Sequence, residues 1–336
     1  MLKTAEFVSL GHPDKTADYI SSYILDCLIK QDACVRYAVE VMIKDNTVIL
    51  GGEVCGKTNL TDIDNMVKEA LRQIGYNEQY ALIWGDNAIN IKKIKVINLI
   101  GYQSREISQG VTAGGWGDQG VFAGYACKGK GFLPKELYLT KKLNNKLYNI
   151  ALKDSNLGLD IKTQITIDDN GNIQTVIVAI PMLNEVDLSE TIISILQDKP
   201  KQLIINGTGT YKCHSSVADC GVTGRKLACD FYSLSCPVGG GSPWAKDATK
   251  ADVSLNIMAR KLAVENLQDN DEAFVYLSSC IGKEKLPSAV VKTVKNGVST
   301  QKSLDGDFSP QNVISSLGLD KPVFAELCRN GIVNID

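Results

Sequence analysis

Chemistry is concentrated in a few segments of this chain. "SLGHPDKTAD", Ser9 to Asp18, sets His12 beside Asp14 and Lys15, in a sequence with only one other histidine, His214. "SQGVTAGGWGDQGVFAGYACKGKG" is crowded with glycine, which suits a mobile segment or close approach of backbone to a ligand. "DCGVTGRKLACDFYSLSCPVGGGSPWAKDATKAD" joins a triple glycine to Arg225, Lys226, Lys246 and Lys250 and to Asp219, Asp247 and Asp252. Cations among single carboxylates suit a polyphosphate with hard metal ions: lysine and arginine for the oxygens, carboxylates for Mg²⁺, which keeps several waters. The expected ligand is a nucleoside triphosphate. Any one of these lysines alone reads as a surface ion pair; their co-occurrence carries the expectation.

A second phosphate pattern competes. "GGEVCGKT", residues 51 to 58, satisfies the P-loop spacing, and the strand that should precede it is present in "TVIL". That strand belongs to a hairpin, helix signals begin only at Thr61, and no later apolar strand ends in an aspartate to hold magnesium. The P-loop NTPase is therefore the lesser alternative.

The elements that must position these groups repeat. Behind His12, Ala17, Ile20, Ile24, Cys27 and Leu28 recur at helical spacing, with Pro13 and Asp14 suited to the first turn. "VRYAVEVMIKDNTVILGGEV" reads as a hairpin about Asp45-Asn46, and "TDIDNMVKEALRQIGYN" as a helix stopped by Gly75. Helix, hairpin and helix return in "LPKELYLTKKLNNKLYNIAL", "TQITIDDNGNIQTVIVAI" with Asn170-Gly171 at its turn, and "SETIISILQ". A third pass gives "ADVSLNIMARKLAVENL" helical, "AFVYLSSCI" and "SAVVKTVKNGVSTQ" extended, and "SPQNVISSLG" helical. The expected fold is α+β, with three pseudo-symmetric repeats, each a β-sheet with helices on one face.

Bulk composition narrows the function. With 36 basic against 38 acidic residues there is no global field to draw nucleic acid or a membrane, so an anion site must be local. The start lacks an apolar run long enough for a signal peptide, and no segment has membrane-spanning length, so a cytoplasmic location and ten reduced cysteines are expected. Cys213, Cys220, Cys229 and Cys236, with gaps of six, eight and six residues, lack paired zinc spacing.

Taken in order, "GHPDK" at 11 to 15, "GGE" at 51 to 53, "GDQG" at 117 to 120, "KTQ" at 162 to 164, "DCGVTGRK" at 219 to 226, and "GGG" followed by "KD" and Lys250 resemble the S-adenosylmethionine synthetase (methionine adenosyltransferase) family along nearly the whole chain. The resemblance implies three pseudo-symmetric α+β domains, 1–101 with the GHPDK motif, 121–212 as the central repeat and 213–336 with the triphosphate segment, with 102–120 as a glycine-rich mobile gate between the first two. It implies attack of the methionine sulfur on C5′ of ATP, then hydrolysis of the expelled triphosphate to pyrophosphate and phosphate. Mg²⁺, two per site, and K⁺ would be the cofactors. A homodimer with active sites at the subunit interface is implied, with a tetramer as the alternative.

The same resemblance assigns residues. His12, Lys162 and Lys246 would be catalytic, His12 lying against the oxygen between ribose and α-phosphate. Asp160, Asp219, Arg225 and Lys226 would join those three around ATP. Glu53, Gln103, Asp118, Asp219 and Lys250 would hold methionine, Asp14 and Asp252 Mg²⁺, and Glu40 K⁺; Glu6 matches an acid early in the family's chain. His214 has no counterpart and is assigned to structure. Trp116, beside "GDQG", is expected over the ligand pocket.

Departures from the family are also visible. Leu10 replaces a glutamate, Gly207 a proline, Thr210 an arginine, and Pro237-Val238 an arginine-histidine pair, while "CHSSVA" replaces a glycine- and proline-rich run. The stretch from Gln109 to Gly115 is shorter than the family's gate. These changes bear on rate and triphosphate hydrolysis, and they frame the second alternative: a catalytically weakened nucleotide-binding or regulatory relative.

Overall fold

The computed structural model of the chain describes residues 2–102 and 114–333. Within the gate of 102–120, residues 103–113, Gln103 among them, lie outside the described residues. The first part runs β1 (Lys3–Val8), α1 (Pro13–Ile29), β2 (Arg36–Lys44), β3 (Thr47–Cys55), α2 (Ile63–Ile74), α3 (Glu78–Trp84) and β4 (Lys95–Tyr102). Next come β5 (Gly120–Cys127), α4 (Lys135–Ala151), β6 (Lys162–Ile167), β7 (Ile173–Ala179), α5 (Ser189–Leu196) and β8 (Gln202–Ile205). The last part holds α6 (Ser215–Ala218), β9 (Gly221–Val222), α7 (Leu227–Asp230), α8 (Ala251–Leu267), β10 (Glu272–Ser279), β11 (Ser288–Lys295), β12 (Val298–Ser303), α9 (Pro310–Leu317) and α10 (Phe324–Asn330).

The helices form where the spacing predicts. In α2, Ile63, Val67, Ala70, Leu71 and Ile74 are buried on one face, and Gly75 ends the helix at φ 112°, a left-handed conformation that a side chain would oppose. Each large aliphatic side chain buried this way contributes roughly 1.5–3 kcal/mol. One expectation needs correction: "SAVVKTVKNGVSTQ" is not a single extended run. Asn296-Gly297 turns it into the β11–β12 hairpin, as an Asn-Gly pair favours.

Three four-stranded sheets result, in the orders β1-β6-β7-β8, β9-β2-β3-β4 and β5-β10-β11-β12. Each begins with a strand from a distant part of the chain, pairs it antiparallel to the first strand of a hairpin, and adds a fourth strand. That fourth strand is parallel in two sheets (β4 on β3, β8 on β7) and antiparallel in the third, because β12 follows β11 through a tight turn with no intervening helix. The long helices α1, α4 and α8, each 17 residues, pack one per sheet against the distant strand and its neighbour. The three-fold α+β architecture is the expected one.

Helices of the first two sheets share a core, with Ile20, Ile24, Val39 and Val48 on one side and Leu143, Leu147 and Val176 on the other. A separate core lies under the third sheet, among Phe122, Leu255, Val275 and Val291. Trp116 is wholly buried in that second core, so its ring presents no face to a ligand, contrary to expectation.

The P-loop reading also fails on geometry. β3 continues through Gly51–Cys55, paired with β2 along its length, and the next helix begins only at Ile63. The Lys57 backbone N–H is held by Asp32, and no helix N-terminus lies there to meet a phosphate.

Candidate active site

His12 is the N-cap of α1. Its Nδ1 accepts the Asp14 backbone N–H at 3.1 Å, so a neutral ring must carry its proton on Nε2. The ring is 1 % exposed. Burial, and then the neighbouring Lys226 and Lys162, push its pKa down to about 3. His12 is thus a neutral donor whose Nε2–H none of the described protein contacts consumes.

Asp14, in the first turn of α1, is fully buried and densely bonded. Its Oδ1 accepts Val222 N–H at 2.9 Å and its Oδ2 meets Lys226 Nζ at 2.5 Å, with Arg225 Nε 3.6 Å from Oδ1. Burial works to raise the carboxyl pKa, but the Lys226 and Val222 hydrogen bonds prevail and hold it below the usual carboxylate value. Asp14 and Val222 meet because β9 crosses directly over the start of α1. At Gly221 any Cβ would collide with the Pro13 carbonyl, so only glycine permits the crossing.

β6 brings in the third wall. Lys162 opens that strand opposite Val8, and Asp160 precedes it, 9 % exposed. Asp160 Oδ2 accepts Ser215 N–H at 3.1 Å, while its buried Oδ1 has no protein partner. Burial, against the attraction of Lys162, raises its pKa to about 6. Asp219, exposed at the end of α6, pushes in the same direction and is itself capped by Cys220 N–H at 2.8 Å. His12, Asp14, Asp160, Lys162, Asp219, Arg225 and Lys226 therefore form one cluster.

A second cluster repeats the grammar of the first. Asp252, in the first turn of α8, meets Lys246 Nζ at 2.5 Å through Oδ2 and accepts Gly241 N–H at 2.7 Å through Oδ1. A Cβ at Gly241 would sit 2.7 Å from Asp252 Oδ2, so the triple glycine lets its loop close over this carboxylate. Unlike Asp14, the Asp252 side chain is 23 % exposed. Lys246 bridges to Ala38 of β2, and Ala38 faces Glu53 of β3, so Lys246, Ala38 and Glu53 form one row across the sheet. Glu40, two residues along β2, is hydrogen-bonded to Thr223.

Other assigned residues stand apart. Lys250, the N-cap residue of α8, lies 3.7 Å from Asp247, which also holds Tyr37 N–H at 2.7 Å and has Arg36 3.8 Å away. Asp118 is exposed before β5, its carbonyl accepting Ser279 Oγ at 2.9 Å. Glu6 is exposed in β1 opposite Gln164. Thr210 is exposed after β8, and Val238 directly precedes the glycines that cradle Asp252.

One buried network went unread in the sequence. Lys15 Nζ, under the Trp244 ring at 4.7 Å, meets Asp230 Oδ1 at 2.7 Å and Asp18 Oδ2 at 3.1 Å. The second contact is an ion pair without hydrogen-bond alignment. Trp244 Nε1 donates to Asp230 Oδ2 at 2.8 Å, and Gly224 N–H to Asp18 Oδ1 at 2.8 Å. These bonds lock α1 to the segments just before Arg225 and Lys246. Only the polar residue types among apolar neighbours signalled it, and a separation of some two hundred residues hid the partners.

Family models for the N-terminal, central and C-terminal domains of S-adenosylmethionine synthetase match residues 1–106, 113–211 and 213–336. The chain belongs to the S-adenosylmethionine synthetase family. An S-adenosylmethionine synthase of Paramagnetospirillum magneticum is 32% identical over 365 residues, covering 98% of this chain and 92% of the relative. One from Acholeplasma laidlawii is 33% identical over 366 residues, covering 98% and 92%. A solved structure described as an unusual S-adenosylmethionine synthetase from Campylobacter jejuni superposes with a TM-score of 0.86 at 32% identity, covering 98% of this chain and 94% of its own. The chain is thus a methionine adenosyltransferase, an S-adenosylmethionine-forming enzyme, of a family that implies ATP and methionine as substrates and is metal-dependent. Among its described residues no helix is long and apolar enough to cross a membrane, and all ten cysteines are free.

Proposed function

We propose that the two clusters together receive ATP, the first holding the nucleoside and part of the triphosphate and the second the rest of the triphosphate, with methionine beside them. The methionine sulfur attacks C5′ of ATP, the C5′–O bond breaks, and the electron pair leaves on the triphosphate. The sulfur is already a nucleophile, so the protein supplies alignment and neutralises charge on the departing oxygen. The carrying observation is His12: neutral, buried, with Nδ1 occupied, it has Nε2–H to donate to the oxygen that leaves C5′. Lys162, Arg225, Lys226 and Lys246 would hold the phosphate oxygens, and the unpaired Asp160 Oδ1 would accept a nucleoside hydroxyl. Glu53, Gln103, Asp118, Asp219 and Lys250 would bracket the methionine zwitterion.

The metal reading fits the donors present. No three-residue metal group exists among the described residues, but Mg²⁺ bound through one carboxylate, phosphates and water needs none. Asp14 and Asp252 each face a cation at 2.5 Å, here a lysine ammonium. They would hold one Mg²⁺ each, and Glu40, beside Thr223, would hold K⁺. Bound Mg²⁺ would add charge neutralisation along the triphosphate.

A homodimer is the proposed assembly. The face of the β9-β2-β3-β4 sheet opposite α1 exposes Met42 at 40 %, Ile97 at 44 % and Leu99 at 65 %. Glu40, Glu53 and Lys246 share that face by register, so covering it with a second copy would set these groups against the partner's site.

The test is to incubate the protein with ATP, methionine, Mg²⁺ and K⁺ and quantify S-adenosylmethionine, pyrophosphate and phosphate. Matched yields support both steps. Sulfonium with intact triphosphate would assign the missing hydrolysis to Thr210 and Pro237-Val238, and nucleotide binding without sulfonium would favour the regulatory relative.

A further inference from the structure

We propose that a cavity between the end of β5, the first turns of α4 and the end of α5 is a second anion site, for a small phosphorylated ligand bearing an aromatic ring, such as a nucleotide. The cavity measures about 540 Å³ and shares no residue with either aspartate cluster. That volume is within the range of small-ligand pockets. Lys128, Lys130, Lys135 and Lys142 line it, against a single lining acid, Asp198.

Lys128 is paired with Asp271 at 2.9 Å. Among the described residues, Lys130, Lys135 and Lys142 have no carboxylate within ion-pair distance. Gathering like charges around one hollow raises its positive potential, and a polyanion relieves it. Leu133, Leu139, Ile173 and Leu196 are buried behind these lysines, with Tyr138 half-buried beside them. Such a wall has no use for a bare phosphate but suits the face of an aromatic ring.

The rim is also pre-formed. Arg260 of α8 donates to the Tyr125 carbonyl at 2.6 Å and the Gly131 carbonyl at 2.8 Å, fixing the turn that carries Lys130. At the opposite side Lys135 Nζ lies 3.2 Å from where a Cβ of Gly171 would stand, so glycine there leaves the ammonium its place. A site built in advance needs less ordering when it binds.

The test uses the full chain with Lys226→Ala and Lys246→Ala, which removes two phosphate contacts of the catalytic site. Calorimetric titration of this variant with ADP should still show binding, weakening with added salt. Adding Lys130→Glu, Lys135→Glu and Lys142→Glu should lower the ADP affinity at least tenfold. No binding to the first variant, or affinity unchanged by the charge reversals, overturns the site. Pyrophosphate binding as tightly as ADP overturns the aromatic part. If the reversed variant melts early, the corresponding triple alanine variant is read by the same criteria.

Discussion

The two histidines occupy matching positions in two different regions, and the contrast sets the proposed working group against a structural one. His12 caps α1 and His214 caps α6; both are about 1 % exposed and both are held neutral. At His214 the ring spends both nitrogens on the protein: Nδ1 donates to the Lys212 carbonyl at 2.7 Å, and Nε2 accepts Tyr80 Oη–H at 2.5 Å. Trp84 closes against it edge-on at 4.7 Å. His12 spends only Nδ1, and the opposite tautomer leaves its donor uncommitted. What sets the proposed catalytic histidine apart is an unspent hydrogen bond, since burial and neutrality are common to both.

His12→Ala should break the contrast most severely. Its kcat should fall about 10²–10³-fold through loss of a donor to the leaving oxygen, while the lost cap costs only ~1 kcal/mol in a melting experiment. The reverse pattern is expected of His214→Ala: kcat within a few-fold of the parent, but ~2–3 kcal/mol less stability, because Tyr80 Oη and the Lys212 carbonyl lose a buried partner. Equal losses of kcat in the two variants would erase the distinction.

Acid sharpens the same comparison. Burial lowers His214 to about 4 and His12 to about 3, against 6.5 in the unfolded chain. Both groups therefore contribute their full stability above pH 6.5. That contribution is lost as pH falls toward the folded values, because only the unfolded chain takes up the protons. Between pH 7 and 5 the His214 share is about 2 kcal/mol, so His214→Gln should flatten the fall in melting temperature. Smaller again, Trp244→Phe should cost ~1–2 kcal/mol by leaving Asp230 Oδ2 unpaired, and should raise KM more than it lowers kcat if α1 then shifts against the Lys246 segment. Lys57→Ala should change neither melting nor turnover measurably.

How much of this was legible in sequence depended on distance along the chain. Helical spacing behind His12 and the Asp45-Asn46 and Asn170-Gly171 turns are local, and their elements form as read. The Asn296-Gly297 turn was equally local; treating "SAVVKTVKNGVSTQ" as one run missed it. Partners were another matter. Nothing in "KTAEFV" names β6 as its neighbour, and the Lys15–Asp230–Trp244 network joins residues whose pairing only the folded chain reveals. Ordered motifs pointed to the candidate site; how its aspartates are bonded came from β9 and the triple glycine, positioned by close backbone approach.

The distant strands that open each sheet also bear on how the molecule is made. β1 leaves the ribosome long before β6 and must wait for it, and β2 waits for β9 to complete its sheet. Closing such long loops before any pairing compensates for the lost freedom is slow, and an unpaired strand edge invites a neighbouring chain. Synthesis should thus pass through a nascent state in which the amino-terminal segment is open to chaperones, and a fragment ending near residue 150 should aggregate rather than fold.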